Sequence, residues 1–303
     1  MINKHKLELE TVSSILNDTT EQPTPIIDNG ILTDKTLLLI SGQQKVGKSM
    51  FAYNCALAIA TGRDFAGFKI IKPRRVMILS AEGGRFLNRD RLKKMCKARK
   101  IETLESLVIS RDTRIKLDDD ESYNHLKKTI KDFGPDVVII DPLVKFHCAE
   151  ENSAKEMSAI MERIRMLIED HNLAVILIHH NGKIDSGGPR GSSVIMGEYD
   201  SYVDISKKDD GVRLEFDMRH VETPDPIKLR LNRDTLWFES IELLDPVVAV
   251  VKEKESISRP DLIKLLLEKG RFETSGGAYK AIKKAIAKGN IDFKDGIFKY
   301  RNN

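Results

Sequence analysis

Thr36-Leu37-Leu38-Leu39-Ile40-Ser41-Gly42-Gln43-Gln44-Lys45-Val46-Gly47-Lys48-Ser49-Met50 is the stretch that decides the fold. Leu37 to Ile40 form a short apolar run of the kind a strand buried on both faces requires. Beyond Ser49, apolar residues recur at Phe51, Ala52, Cys55, Ala56 and Ile59, which is a helical period. Between the two, Gly42–Ser49 fits G-x-x-x-x-G-K-S/T in full, in the strand-to-helix context the pattern demands. Such a loop turns a run of backbone N–H groups and a helix N-terminus toward one anionic chain of phosphates. Gly42 and Gly47 allow the required dihedrals and the close approach. Residues Gly42, Gln43, Gln44, Lys45, Val46, Gly47, Lys48, Ser49 and Met50 are therefore expected to hold a nucleoside triphosphate, taken as ATP. Lys48 would neutralise its β- and γ-phosphates and the Ser49 hydroxyl would ligate Mg²⁺.

Outward from this loop, buried strands alternate with helical segments. Arg75–Ser80, Leu107–Ser110, Asp136–Ile140 and Ala174–Ile178 read as strands; Phe86 to about Arg99, Ser122–Phe133 and Glu151–His171 read as helices. That alternation predicts an α/β domain with a mostly parallel sheet covered on both faces. Asn181–Ser193, rich in glycine and serine, reads as a long loop. Ser201–Ser206, Val212–Met218, Ile227–Leu231 and Leu236–Ser240 alternate apolar and polar residues around an Asp210-Gly211 turn, and predict antiparallel strands at one sheet edge. Three domains follow: an N-terminal arm at residues 1–35, the α/β domain at 36–245 and a small C-terminal domain at 246–303.

Three strand ends carry further chemistry. Asp141 follows Val137-Val138-Ile139-Ile140 directly, where a carboxylate would reach Mg²⁺ beside the phosphates. Glu82, just past the second strand in Ser80-Ala81-Glu82-Gly83-Gly84, is placed to orient and deprotonate an attacking water. His179-His180 closes the strand Ala174–Ile178; adjacent side chains leave opposite sides of a strand, so at most one faces the nucleotide and the pair cannot chelate one metal.

In this order, phosphate loop, Glu82, Asp141 and His179-His180 resemble the RecA-like ATPase superfamily, and most of all its RepA-type hexameric replicative helicases of plasmids and phages. Glu151-Asn152 and Arg190-Gly191-Ser192-Ser193 are similar to that branch as well. The likeness spans about residues 23–240. It implies a RecA-like P-loop core with Glu82 as catalytic base and His180 where relatives sense the γ-phosphate. It also implies loops after Asp141 and His180 that grip single-stranded DNA, with Lys145, Lys183 and Arg190 as contacts. Assembly as a ring, taken as a hexamer, would close each ATP site with a neighbour's cation. The arginine that the resemblance places about ten residues past Arg190-Gly191-Ser192-Ser193 is Asp200 here, so Arg219 is the substitute finger, with Arg190 second. Residues 1–35 would pack on a neighbouring subunit.

The tail has its own character. From Pro246 to Asn303 there are 13 Lys or Arg against 7 Asp or Glu, a net +6, leaving −2 on the rest of a chain whose formal charge is +4. A basic tail on a near-neutral body points to a polyanionic partner. Pro246–Lys252, Arg259–Lys269 and Gly276–Lys288 read as helices, and Ile291–Phe293 with Ile297–Tyr300 as a hairpin. This pattern looks like a winged helix-turn-helix. In its third helix Tyr279, Ile282 and Ile286 would be buried, leaving Lys280, Lys283, Lys284 and Lys288 as an exposed stripe for the phosphates of duplex DNA. No Arg, Asn or Gln in the stripe reads base edges, so binding there would be sequence-tolerant.

The remaining composition is that of a soluble chain. It has 303 residues, 41% hydrophobic and 32% charged, enough for one large domain and a small one. No run approaches the roughly 18 apolar residues of a membrane span. Met1–Lys6 lacks the apolar core of a secretory signal. Cys55, Cys96 and Cys148 stand far apart in no metal-ligand spacing, as expected of reduced thiols in a cytoplasmic protein. The function expected is a Mg-ATP-hydrolysing, helicase-like DNA motor of a plasmid, phage or mobile element, with a primase or replication initiator as further partner. Two alternatives stand beside it: a non-unwinding ATPase accessory such as a helicase loader or strand-exchange factor, and an ATP-gated DNA-binding initiator or regulator.

Overall fold

The computed structural model describes residues 9–20, 22, 25–112, 114–180, 193–241, 246–272, 274–287, 289 and 291–300. The chain divides into two compact units, residues 1–239 and 240–303.

In the first unit the elements run α1 (Val12–Leu16), β1 (Leu37–Gly42), α2 (Lys48–Thr61), β2 (Val76–Ser80), α3 (Gly84–Ala98) and β3 (Leu107–Ser110). They continue with α4 (Asp120–Phe133), β4 (Val137–Asp141), a single 3-10 turn at Leu143–Lys145, α5 (Ala154–His171), β5 (Ala174–Ile178) and α6 (Ser193–Glu198). Four further strands follow: β6 (Ser201–Lys208), β7 (Gly211–Met218), β8 (Ile227–Leu231) and β9 (Phe238–Ile241), the last ending two residues past the division. Among the described residues these strands form one sheet in the order β3-β2-β4-β5-β1-β6-β7-β8-β9.

Every residue of β1, β2, β4 and β5 is buried, as their unbroken Leu, Ile and Val runs require. Alternate side chains enter opposite cores. Leu38, Ile40, Ile78, Ile139 and Ile176 pack toward α2, while Leu39, Leu79, Val138, Ile140 and Leu177 pack toward α4, α5 and α6. Helix α2 is buried along most of its length, and its Phe51 packs against Phe65, Phe68 and Phe238 with ring centroids 5.6–5.8 Å apart.

Two features depart from the sequence reading. β6 pairs parallel to β1, with Leu38 opposite Ser201 and Gly42 opposite Ile205, and antiparallel pairing begins only with β7 and β8. Alternation marks a half-buried strand but is blind to the direction of its neighbour. The N-terminal arm is divided: Ile26, Ile27, Ile31 and Leu32 are at most 5% exposed in the core of this same chain, tied by β-bridges from Ile27 to Leu32 and Ile70. That half of the arm is not free to pack on a neighbour. The loop expected at 181–193 lies outside the described residues except for Ser193, where α6 begins.

The second unit contains α7 (Pro246–Lys254), β10 (Ser256–Ser258), α8 (Arg259–Glu268), α9 (Ser275–Ala287), β11 (Ile291–Lys294) and β12 (Ile297–Tyr300). Its three strands are ordered β10-β12-β11, so the expected two-stranded hairpin gains a short third strand between the first two helices. Ser258 caps α8, its side chain accepting from the Asp261 N–H at 3.3 Å. Val247, Val251, Leu262, Leu266, Ile282 and Phe298 make a separate core.

Candidate functional site

Parallel strands end on one edge of the sheet, and helix N-termini meet them there. At that edge β1 runs into the loop Gly42–Gly47, and α2 starts from Gly47, held left-handed at φ 97°. Gly42 carries φ 150°, and a Cβ there would sit 2.2 Å from the Ile205 carbonyl oxygen, so β6 itself forbids a side chain at this position. Gln43, Gln44 and Lys45 are exposed, Lys45 in the left-handed region, while Val46 is buried and Gly47, Ser49 and Met50 are half-buried.

Lys48 is 4% exposed, its ammonium donating to the Gly42 carbonyl at 2.7 Å and to the Gln43 carbonyl at 2.8 Å. Burial draws its pKa down from 10.5 to about 8, opposed by the carboxylates of Asp141, Glu82 and Asp204. Ser49 Oγ donates to Asp141 Oδ1 at 3.1 Å. Asp141, at the end of β4, is 1% exposed, and burial raises its carboxyl to about 6, with Glu82 adding to the rise while Ser49 and Lys48 oppose it. A buried carboxyl against a hydroxyl, its proton affinity raised by burial, is a fitting oxygen donor set for a hard divalent cation.

Glu82 leaves the end of β2, and its Oε1 lies 4.0 Å from His180 Nε2 at the end of β5. The two histidines part as strand geometry demands: His179 Nδ1 lies 4.0 Å from Glu151 Oε1 and the residue is 1% exposed, whereas His180 turns to Glu82. Lys48, Ser49, Asp141, Glu82 and His180 are thus brought to one edge. Lys145 is exposed on the 3-10 turn after β4, its carbonyl accepting from Lys116 Nζ at 2.6 Å. Lys183 and Arg190 lie outside the described residues.

Arg219 is not brought there. Met218 pairs with Ser201, and Ser201 with Leu38, so the end of the antiparallel strand β7 lies at the amino end of β1, across the length of the sheet from Gly42. Its guanidinium stacks over Tyr199 at 5.0 Å and donates to the Gly197 carbonyl at 2.6 Å. Asp200, found where the resemblance leads one to expect an arginine, is a brace: it accepts from the Leu37 N–H at 2.7 Å and from Arg165 Nη1 at 2.9 Å.

Two contributors escaped the sequence reading. Asn88 in α3 donates from Nδ2 to the Glu82 carbonyl at 2.9 Å, fixing the turn that carries the carboxylate. Asp204 of β6, opposite Ser41 in the register, accepts from Ser41 Oγ at 3.1 Å, while Ser41 and Tyr202 share a hydrogen bond at 2.6 Å. Neither belongs to a motif, and Asp204 is legible only once β6 is known to run parallel to β1.

In the second unit Lys280, Lys283 and Lys284 are exposed on α9, and Lys288 lies outside the described residues. Ala278, Ile282 and Ala285 are buried, but Tyr279, expected inside, is 39% exposed, with Lys283 Nζ 5.1 Å from its ring.

The chain matches the AAA domain family over residues 3–186. No curated protein matches it. Solved structures are similar to it at low identity. The RadB recombinase is 19% identical, with a TM-score of 0.49 over 69% of this chain and 92% of that one. A second solved structure, an ATPase domain, is 16% identical, at 0.50 over 69% of this chain and 85% of that one. A DnaB-like replicative helicase, solved for its interactions with primase, is 16% identical at 0.53 over 69% of this chain, which spans only 58% of that protein.

Proposed function

The chain belongs to the AAA-domain family, and on that premise we propose that it is a Mg-ATP-hydrolysing DNA motor, a helicase-like ATPase of a plasmid, phage or mobile element that works as a ring on single-stranded DNA. The observation that carries the reading is the meeting at one sheet edge of Lys48, Ser49 and Asp141 with the Glu82–His180 pair, 4.0 Å apart. The loop amides and Lys48 bind and orient the triphosphate, Lys48 exchanging its two carbonyl partners for phosphate oxygens. Ser49 and Asp141 hold Mg²⁺, which when bound neutralises phosphate charge. Glu82 takes a proton from the attacking water at its carboxylate, and His180 links that carboxylate to the end of β5. Lys145, Lys183 and Arg190 contact the strand, and residues 246–303 act as a winged helix whose lysines Lys280, Lys283, Lys284 and Lys288 contact duplex phosphates.

The test is phosphate release by the purified chain with and without a single-stranded oligonucleotide. Turnover should rise severalfold with the strand, and calorimetry showing no nucleotide uptake would end the reading. One observation favours a second reading, a non-unwinding loader or strand-exchange ATPase: the position where the resemblance places an arginine holds Asp200, a carboxylate braced by Arg165. Unwinding of a forked duplex by the purified protein separates the two.

A further inference from the structure

Away from the phosphate loop, α3 and the edge strand β3 enclose an open groove of about 650 Å³. Its α3 wall carries Arg85, Arg89, Lys93 and Lys97, spaced by four. Arg111, beyond β3, adds a fifth cation, and Glu102 is the one acid among the lining residues. Helix α3 as a whole has six Lys or Arg and a single acid, Asp90. Of the four stripe cations, Arg89 alone has an ion pair in the described structure, to Asp90 at 3.0 Å between two largely exposed side chains. Like charges a turn apart on a helix repel one another, so an arrangement of this kind lowers helix stability unless an anion lies along it.

Four residues of helix rise about 6 Å, which is the separation of successive phosphates on an extended nucleic-acid strand. The floor is apolar, formed by Leu92, Cys96, Leu104 and Ile109. Phe86, on the same helix though not in the groove's lining, is 70% exposed, with the Arg89 guanidinium 5.2 Å from its ring. A cationic groove that tracks the backbone is what sequence-tolerant single-strand binding uses, and an exposed ring beside it offers a π-face to a base. Asn88, the one amide in the lining, already donates to the Glu82 carbonyl, so the groove is furnished chiefly with cations for phosphates.

We propose that the groove between α3 and β3 is a binding track for the phosphate backbone of single-stranded nucleic acid, made of other residues than the loops after β4 and β5. It stands on the groove itself and does not require nucleotide turnover.

The experiment uses the full chain and a labelled oligothymidylate. Anisotropy titrations over a range of salt compare the parent with the combined variant Arg89→Ala, Lys93→Ala, Lys97→Ala. Loss of three phosphate contacts should weaken binding at low salt about tenfold or more and flatten the log–log salt slope by about 2, at roughly 0.7 per contact. Acetylation footprinting should find Lys93 and Lys97 protected by the oligothymidylate. Repeating both in a Lys48→Ala background keeps the tests apart, since track binding should persist there when hydrolysis is gone. Unchanged affinity and slope in the combined variant overturn the proposal. So does protection of Lys93 and Lys97 by polyglutamate but not by oligothymidylate, which would mark the groove as a seat for an acidic protein segment.

Discussion

The two ends of the same parallel strands use the same residue types to opposite effect. At the amino end, Arg74 bridges Asp34 and Asp136 at 3.2 Å each, the Arg75 N–H donates to Asp136 at 2.7 Å, and Asp200 takes both Arg165 and the Leu37 N–H. At the carboxyl end, Asp141 is buried with a hydroxyl for its hydrogen-bond donor and its carboxyl raised to about 6, while Lys48 is lowered to about 8 and held by carbonyls. Charge is satisfied within the chain at one end and held ready for a ligand at the other. Strained ionisation of this kind belongs where function is expected, and full pairing where the fold is fastened.

The comparison can be broken by substitution, and the largest effect should come from Lys48→Ala. Removing the ammonium should lower ATP turnover by roughly 10²–10³-fold, read as phosphate release.

Asp141→Asn comes next. Because burial raises the folded-state value above the ordinary 3.8, the fold prefers the neutral acid; stability from this group is present below about pH 4 and lost as pH rises through about 6. The amide should therefore raise the thermal midpoint of the nucleotide-free protein above that pH by a few degrees and remove the slope between those values. It should also weaken Mg-ATP binding by about 10–100-fold. Melts across pH and calorimetry read the two effects.

At the amino end the pattern should invert. Asp200→Ala strips the acceptor from the Leu37 N–H and leaves Arg165 short of a partner, a loss of about 1–3 kcal/mol in denaturant titration, with turnover per folded molecule near that of the parent. The smallest effect is expected from Arg219→Ala, within about twofold in turnover, since its contacts are with Tyr199 and Gly197. A loss of an order of magnitude there would mean that Arg219 reaches the site of another copy, and the division between the two ends would fail.

Legibility followed the same division. The carboxyl edge was open to reading because phosphate binding restricts residue type and spacing together. Gly42, Gly47, Lys48 and Ser49 announce a loop, and Glu82, Asp141 and His180 each close an apolar strand. Pairing partners were not open to it. Ser201–Ser206 alternates as any half-buried strand does, and nothing local shows that β6 lies parallel beside β1. Asp200 stands where the resemblance placed an arginine, and Arg219 was taken as the finger because it ends a strand; the register that seats both at the amino end of β1 was not open to reading. Ile26, Ile27, Ile31 and Leu32 are separated by polar and glycine residues, so no period reveals that they complete a core. Tyr279 fell at a helical spacing from Ile282 and Ile286, yet the compact second unit buries the smaller Ala278 and Ala285.

The central claim is that the carboxyl edge binds Mg-ATP and that Glu82 draws the proton from water there. Glu82→Gln separates binding from chemistry, because the amide keeps the shape and loses the base. Measured together by calorimetry and phosphate release, the variant should bind Mg-ATP within about threefold of the parent and turn it over about 10²–10⁴-fold more slowly. Turnover equal to that of the parent, with binding intact, would contradict the account.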